Sequence, residues 1–146
     1  MIPVNLLEIQ NTQGEGYSPL IRFESWRVAR LCYCDELLPK NIYKFQKHTQ
    51  SDELFFLAQG SCTLFLADGS EAPGEIYAQP MLPLTVYNIK KGTWHSHTLS
   101  PGSCILIVEN DSTCDANSPE AALTTAQREL LLSLCPDMVP PVCSSR

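Results

Sequence analysis

The chain has 146 residues, a formal net charge of -6 and a sequence pI near 4.9. This length suits one domain, and an acidic chain without a run of Lys or Arg is unsuited to a nucleic-acid backbone. No apolar stretch approaches the roughly 20 residues that span a bilayer, and the N-terminal residues lack the basic and apolar regions of a signal peptide. A soluble, cytoplasmic protein without nucleic-acid or membrane partners is therefore expected.

Short apolar runs between turn signals predict a sandwich or barrel of β-strands. Tight turns are expected at Gly60-Ser61, Asp68-Gly69 and Pro101-Gly102, because glycine, aspartate and proline suit turn conformations. Pro80 and Pro83 exclude a central strand where they lie. The predicted strands are, in chain order, 20–24, 26–34, 42–48, 53–59, 62–68, 75–78, 84–90, 93–99 and 103–109.

The C-terminal part changes character after a polar, turn-rich stretch at 110–121. Thr124 and Gln127 have the spacing of a capping box, which predicts a helix over about 125–134 with leucines along one stripe. Pro136 ends that helix, and 136–146 form a proline-rich tail. No repeat or linker divides the chain, so residues 1–146 are expected to form one domain with its barrel core at about 20–110.

The chain has seven cysteines, an odd number without a secretion signal. This argues against a disulfide framework. Cys32, Cys62 and Cys104 fall within apolar strand patterns, where a free cysteine behaves as a small hydrophobe. Cys32 and Cys34 form a C-x-C pair that could bind a soft metal, but no second pair with zinc spacing accompanies it. Structural cysteines are the expectation.

Two short clusters, HTQSDELFFLAQG at 48–60 and KKGTWHSH at 90–97, contain candidate metal ligands. The first has His48 and Glu53 between two predicted strands, and the second has His95 after a glycine turn. Two histidines and a carboxylate are a donor set that first-row divalent metals accept. A metal-free site is an equal alternative, in which the same side chains do acid–base work.

The spacing of these clusters resembles that of the cupin superfamily. The first cupin motif ends in a His, four residues, a Glu, six residues and a Gly, as at His48, Glu53 and Gly60. The second has a Gly, two residues and a His, as at Gly92 and His95, and here a lysine replaces the proline that precedes the glycine. The resemblance covers roughly residues 40–110. It implies an all-β cupin jelly-roll barrel (double-stranded β-helix) with a short C-terminal α-helix, and a homodimer.

The resemblance also implies a ligand set. In the family, a further His lies two residues before the one at 48, and this position is Gln46 here. The implied set is therefore His48, Glu53 and His95, with Gln46 as a weak fourth ligand. His97 is an alternative to His95, because strand side chains repeat with period two. The metal would be divalent iron, manganese, nickel or zinc.

Cationic side chains are candidates for contacts with substrate. Lys44 shares a strand face with Gln46 and His48, and Arg22 and Arg30 lie on apolar strands that could reach the barrel lumen. An unpaired charge inside would be costly, so a cationic lumen would suit a small acid. The alternative is that these long side chains reach the surface.

Four residues are candidates for catalytic or substrate-binding roles at the site. Trp94 precedes the motif histidine and is either core or a lid against a flat substrate. Glu53 is the candidate base, and Lys44 is a second candidate catalytic group. Glu109 ends the last predicted strand and could supply another carboxylate.

Two functions are consistent with these patterns. One is a binding module that takes a small polar or acidic metabolite in the barrel lumen, with or without a divalent metal. The other is a metal-assisted lyase or isomerase acting on a small hydroxy, keto or ureido acid. The second follows from residues 92–110, which resemble the corresponding stretch of ureidoglycolate lyase-like cupins. The fold alone does not choose between them.

Overall fold

The computed structural model describes residues 2–135. Within them the chain is mostly β-structure, with short 3-10 helices at Asp35–Leu37, Pro39–Asn41 and Asp115–Asn117. The strands and the α-helix are, in chain order, β1 (Gly16–Phe23), β2 (Trp26–Cys32), β3 (Lys44–Gln46), β4 (Glu53–Gln59), β5 (Cys62–Ala67), β6 (Ile76–Pro80), β7 (Val86–Ile89), β8 (Trp94–Leu99), β9 (Cys104–Asn110), β10 (Glu120–Ala122) and α1 (Thr125–Ser133).

The strands form two five-stranded antiparallel sheets. One has the order β1-β2-β9-β4-β7 and the other has the order β10-β3-β8-β5-β6. Two antiparallel sheets built from distant strands in this way make a jelly-roll barrel. The predicted fold class, an all-β jelly roll with a short C-terminal helix, is confirmed. Each of the nine predicted strands corresponds to an observed strand, and β10 is additional.

The barrel interior is filled by rows of apolar side chains that cross the first sheet. Ile107 of β9 is in register with Ala29 on one side and with Phe55 on the other, and the next row repeats this around Ile105. All of these residues are buried. Because side chains alternate along a strand, the same inward face continues towards one end of the barrel, where its residues become polar.

A second apolar cluster lies outside the barrel, between the second sheet and α1. Its largest members are Phe45, Phe65, Trp94 and Leu131, all nearly inaccessible to solvent. The helix begins with the predicted capping box, in which the backbone N–H of Gln127 donates to the Thr124 side chain and the Gln127 side chain accepts from the Thr124 N–H. The capped helix therefore covers the outer face of the second sheet.

The apolar stripe of α1 is narrower than predicted. Leu131 is fully buried, whereas Leu130 and Leu134 are 42% and 39% exposed. A nine-residue helix against a sheet brings only one leucine into full contact. Pro136 and the tail at 136–146 lie outside the described residues. Among residues 2–135, no helix has the length and apolar character that a membrane span requires.

Two glycines shape the loops near the motifs. Gly60 has a φ of +77°, and a Cβ there would lie 2.7 Å from the Ser103 Cα. Both the backbone conformation and the close approach therefore require glycine. Gly92 has a φ of +82°, with open space around it. Its backbone N–H donates to the His48 carbonyl at 2.8 Å, so this turn joins the two motifs.

Cys32 and Cys104 form a disulfide, contrary to the expectation from the sequence. The two residues are a directly opposed pair in the register of β2 and β9, although 72 positions separate them in the chain. Their pairing depends on strand register, which cysteine spacing does not reveal. Cys34, Cys62, Cys114 and Cys135 are free. Disulfides are rare in the cytosol, and the cytoplasmic location stays a prediction.

Candidate metal centre

The two motifs meet at the polar end of the barrel. His48 follows β3, Glu53 begins β4 and His95 lies on β8. The strands β3 and β8 pair through Gln46 and His95, which aligns the two motifs. The side chains of His48, Glu53 and His95 are 7%, 6% and 1% exposed, so the cluster is shielded from solvent.

The ligand atoms of this cluster converge. Glu53 Oε2 lies 3.2 Å from His48 Nε2 and 3.0 Å from His95 Nε2. Both contacts fall within ion-pair distance, yet neither has hydrogen-bond alignment, and the three atoms are buried without a hydrogen-bond partner in the described part of the chain. By distance the two contacts are ion pairs, whereas by angle they are not hydrogen bonds. Under either description the three donor atoms lie within 4.8 Å of one another, which is near enough for them to share one metal ion.

The other nitrogen of each ring is held by a neighbour. His95 Nδ1 lies 3.0 Å from the Thr93 carbonyl, which can only accept, so Nδ1 carries the hydrogen. His48 Nδ1 lies 2.8 Å from Ser118 Oγ, which itself donates to the Asn117 side chain at 3.3 Å. In this arrangement both Nε2 atoms present a lone pair. Metal-binding histidines are held in the same way.

The residues present fit a divalent ion. Metal–nitrogen and metal–oxygen bonds are about 2.1 Å long, so two ligands at a right angle lie roughly 3.0 Å apart and two tetrahedral ligands roughly 3.4 Å apart. The observed separations of 3.0 and 3.2 Å fall in this range. Among the described residues, the groups able to hold an ion are limited to His48, Glu53 and His95.

The electrostatics of the cluster favour a charged pair when no ion is bound. Burial alone would raise the pKa of Glu53, but the contacts with His48 and His95 outweigh it and lower that pKa to about 2. Burial would likewise lower the pKa of His48, but its contact with Glu53 outweighs burial and raises it. The cluster can therefore hold either a proton or a metal ion between Glu53 and the histidines.

The two additional candidate ligands occupy different positions. Gln46 lies beside His95 and lines the adjoining cavity, so its role as a weak fourth ligand stays a prediction. His97 lies outside the converging group. Its ring packs edge-on against Phe55 with centroids 5.3 Å apart, and burial lowers the pKa of His97 to about 4, so the ring is neutral.

A cavity of about 370 Å³ adjoins the cluster. Its lining includes His48 and Glu53 of the metal centre together with Tyr17, Arg27 and Glu109. A larger groove of about 580 Å³ runs past residues 12–15 and the disulfide, but none of its lining residues belongs to the cluster. The smaller cavity is therefore the candidate ligand site.

The side chains of Tyr17, Arg27 and Glu109 form one hydrogen-bonded network. Tyr17 Oη donates to Glu109 Oε1 at 2.7 Å, and Arg27 Nε donates to the same oxygen at 3.0 Å. Arg27 also donates to the backbone carbonyls of Asp111 and Thr113. Burial, followed by the contact with Glu109, raises the pKa of Tyr17 to about 12, so it remains a neutral phenol.

The three cations that the sequence offered for the lumen, Lys44, Arg22 and Arg30, do not line the cavity. Lys44 pairs with Glu120 at the sheet edge and is 60% exposed on its side chain. Arg22 pairs with Asp111 and is also largely exposed, and Arg30 donates to the Gly16 carbonyl. None of the three lines the cavity beside the cluster. The alternative interpretation, in which these side chains extend to the surface, describes Lys44 and Arg22.

Trp94 is core rather than a lid. It is 2% exposed in the cluster beneath α1, and its indole N–H donates to the Gly69 carbonyl at 2.9 Å. Because side chains alternate along β8, Trp94 and His95 point to opposite faces of the sheet. Of the two roles that the sequence left open for Trp94, this placement fits the core and not contact with substrate.

Sequence reasoning missed three members of the site. Arg27 was overlooked in favour of Arg30, although Arg27 shares the inward face with the buried Ala29 and Leu31, a period-two signal that was available. Tyr17 and Ser118 had no such signal. Tyr17 is on an edge strand, and Ser118 follows a 3-10 helix in the polar stretch, so only tertiary contacts bring them to the site.

The chain was compared with known proteins. No family model and no curated protein matches it by sequence. A solved structure of Pac13, described as a nucleoside dehydratase, has a TM-score of 0.53 and 10% identity, covering 79% of this chain and 86% of that chain. A variant of Streptomyces Pac13 with uridine has a TM-score of 0.54 and 10% identity, with coverage of 79% and 85%. A cupin-2 domain protein from Shewanella frigidimarina has a TM-score of 0.49 and 17% identity, with coverage of 67% and 84%.

At these identities the comparisons establish the fold. The chain has the cupin fold, a single jelly-roll barrel, as the sequence motifs implied. Combined with the geometry described above, this defines a small cupin-fold protein with a buried His/Glu/His cluster that could hold a metal.

Proposed function

We propose that this chain is a metal-binding cupin that takes a small polar molecule into the cavity beside its metal centre. The observation that carries the proposal is that His48 Nε2 and His95 Nε2 both lie within 3.2 Å of Glu53 Oε2, with all three atoms buried and without a hydrogen-bond partner among the described residues. The ion would be divalent iron, manganese, nickel or zinc, all of which accept nitrogen and carboxylate donors.

The chain's own residues have distinct roles in this proposal. His48 and His95 supply neutral nitrogens, and Ser118 and the Thr93 carbonyl orient the two rings. Glu53 supplies one negative charge. A divalent ion held there polarises a carbonyl or hydroxyl oxygen of a bound molecule. The cavity of about 370 Å³ limits that molecule to a small metabolite.

Elemental analysis of protein prepared without a histidine tag or chelator tests this proposal. We expect close to one equivalent of metal in the wild type and a large loss in His48→Ala, Glu53→Gln and His95→Ala. His97→Ala is the matched control, because His97 lies on the same strand as His95 but outside the converging group. Absence of metal in the wild type, with no thermal stabilisation by added divalent ions, would contradict the proposal.

A second candidate function is a metal-assisted lyase or isomerase, favoured by the buried carboxylate of Glu109 on the same cavity. The sequence offered two carboxylates for this role, Glu53 and Glu109, and Glu53 faces two histidines. Glu109 is better placed, because Tyr17 and Arg27 contact only its Oε1 and leave Oε2 without these partners. Solvent deuterium exchange into small hydroxy, keto and ureido acids, measured by NMR, tests this function. Exchange that is equal in the wild type and in Glu109→Gln would contradict it.

A further inference from the structure

The part of the lining formed by Tyr17, Arg27 and Glu109, here called the Glu109 wall, adjoins the metal centre in the same cavity. Arg27 and Glu109 are directly opposed in the register of β2 and β9. Leu54 opposes Val108 in the register of β4 and β9, so one step further along the same register Glu53 lies next to Glu109. Two inward-facing carboxylates therefore lie at neighbouring strand ends. The negative charge of each must be balanced by nearby positive charge or hydrogen-bond donors.

Different groups balance the charges of Glu53 and Glu109. Glu53 is compensated by the two histidines or by a cation at the centre that they share. Glu109 is compensated by Arg27, whose side chain is 12% exposed and whose three guanidinium nitrogens all donate within the protein. Three of the five N–H donors of Arg27 are therefore used within the protein, and Glu109 balances its charge. Asp115 adds a further negative charge to the cavity lining.

The Glu109 carboxylate has free capacity as a hydrogen-bond acceptor. Glu109 Oε1 receives both hydrogen bonds from the protein, and Oε2 receives neither of them. The hydroxyl hydrogen of Tyr17 is used towards Glu109, which leaves its oxygen able to accept. A ligand carboxylate placed here would meet a buried like charge, whereas a hydroxyl or amino group would form a charge-assisted hydrogen bond.

We propose that Glu109 recognises a hydrogen-bond donor on the ligand, so that the cavity selects metal chelators with a hydroxyl or amino group over those with a second carboxylate. This inference rests on the proposed metal centre and narrows its ligand class. The ligand would bind the metal with one end and present a hydroxyl or amine to Glu109 with the other. Glu109 acts in this proposal as a specificity-determining residue.

Hydroxamic acids of one length test the inference, because they chelate the metal and differ only at the tail. The probes are propionohydroxamic, glycolohydroxamic, glycine hydroxamic and malonic monohydroxamic acid, titrated into cobalt-loaded protein and followed by the cobalt absorption spectrum. We expect the hydroxyl and amino probes to bind about tenfold more tightly than the methyl probe, as one charge-assisted hydrogen bond provides, and the carboxylate probe to bind most weakly.

Glu109→Gln, compared at equal cobalt loading, should remove this order, so that within the variant the hydroxyl, amino and carboxylate probes bind about as tightly as propionohydroxamic acid. If Glu109→Gln does not fold because Arg27 loses its charged partner, the double variant Arg27→Met with Glu109→Met removes both charges and provides the same comparison. Cobalt uptake without any preference among the probes, or a preference that persists in these variants, would overturn the inference alone. Failure of the wild type to take up cobalt would overturn the proposed function, and the inference with it.

Discussion

At the scale of single residues, Glu53 takes part in both states of the site, the one that holds a proton and the one that holds a metal ion. Its Oε2 lies within 3.2 Å of both histidine Nε2 atoms, so the carboxylate can share a proton with either ring or share an ion with both. The lowered pKa of Glu53 and the raised pKa of His48 describe the metal-free state. Each shift corresponds to a dependence of stability on pH.

The metal-free protein should therefore be stabilised by Glu53 mainly over a middle range of pH. The pKa of Glu53 falls from 4.5 to about 2 on folding, so its contribution is present above pH 4.5 and is lost as the pH falls towards 2. The pKa of His48 rises above 6.5, so its contribution is present below pH 6.5 and is lost as the pH rises through the higher value. Urea unfolding with chelator should show a stability difference between wild type and Glu53→Gln that is largest at about pH 4.5–6.5. A difference that is constant across pH would contradict this.

Ser118 should matter to metal affinity although it cannot reach the ion. Its Oγ holds His48 Nδ1 at 2.8 Å and so fixes the ring with Nε2 facing the centre. Loss of such a supporting contact typically costs about 10–100-fold in metal affinity. Competition titrations with a chromophoric chelator should show this loss in Ser118→Ala. Ser133→Ala, on the exposed face of α1, serves as the control, and equal affinities in the two variants would contradict the prediction.

The residues of the metal centre were accessible from the sequence because their spacing is local and the motif glycines mark the turns. His48 and Glu53 lie five positions apart, and Gly92 precedes His95 by three. The Glu109 wall was only partly accessible. Glu109 was noted, but its partners come from other strands, and pairing of Arg27 with Glu109 depends on the register between β2 and β9.

At the scale of secondary-structure elements, β8 separates two environments. Its inward face carries His95 and Leu99, and its outward face carries Trp94 beneath α1. The helix is thus part of the support for the sheet that holds the metal centre.

The capping box of α1 should contribute to stability without affecting the metal centre. The Thr124 side chain accepts the Gln127 N–H at 3.2 Å, and removal of such a cap costs about 1 kcal/mol. Thermal or chemical denaturation of Thr124→Ala should show that loss, while elemental analysis shows an unchanged metal content. A wild-type stability would show that other contacts of α1 compensate, and that the cap is not needed.

The strands were predicted well, and β4 matches its predicted bounds of 53–59, because its alternation and its flanking turns are both strong. The β10 strand was missed. It has three residues in a polar stretch and exists through pairing with β3, so its formation depends on a tertiary contact rather than on local sequence.

At the scale of the whole molecule, the N-terminal segment is the least covered part of the described chain. Its apolar side chains at Ile2, Val4, Leu6 and Ile9 are between 61% and 92% exposed. Apolar surface of this kind commonly marks an interaction site. We propose that a second copy of the chain covers it, in the homodimer that the cupin resemblance implied.

Val4→Asp with Ile9→Asp should shift such a dimer towards monomer, because the charges would have to be buried at the interface. Light scattering at micromolar concentrations checks this, with Val4→Ala and Ile9→Ala as the milder comparison. Metal content should not change, since the segment does not belong to the cluster. A wild-type protein that is monomeric throughout this concentration range would contradict the dimer.

The bond between Cys32 and Cys104 has a consequence for the accuracy of the cavity. It joins β2 and β9 at the opposite end of the same ladder that aligns Arg27 with Glu109. A slip of one position along this ladder would turn Glu109 outward and bring Val108 into the barrel. The covalent link prevents that slip. It therefore fixes the strand register at the polar end of the barrel, about five residues away.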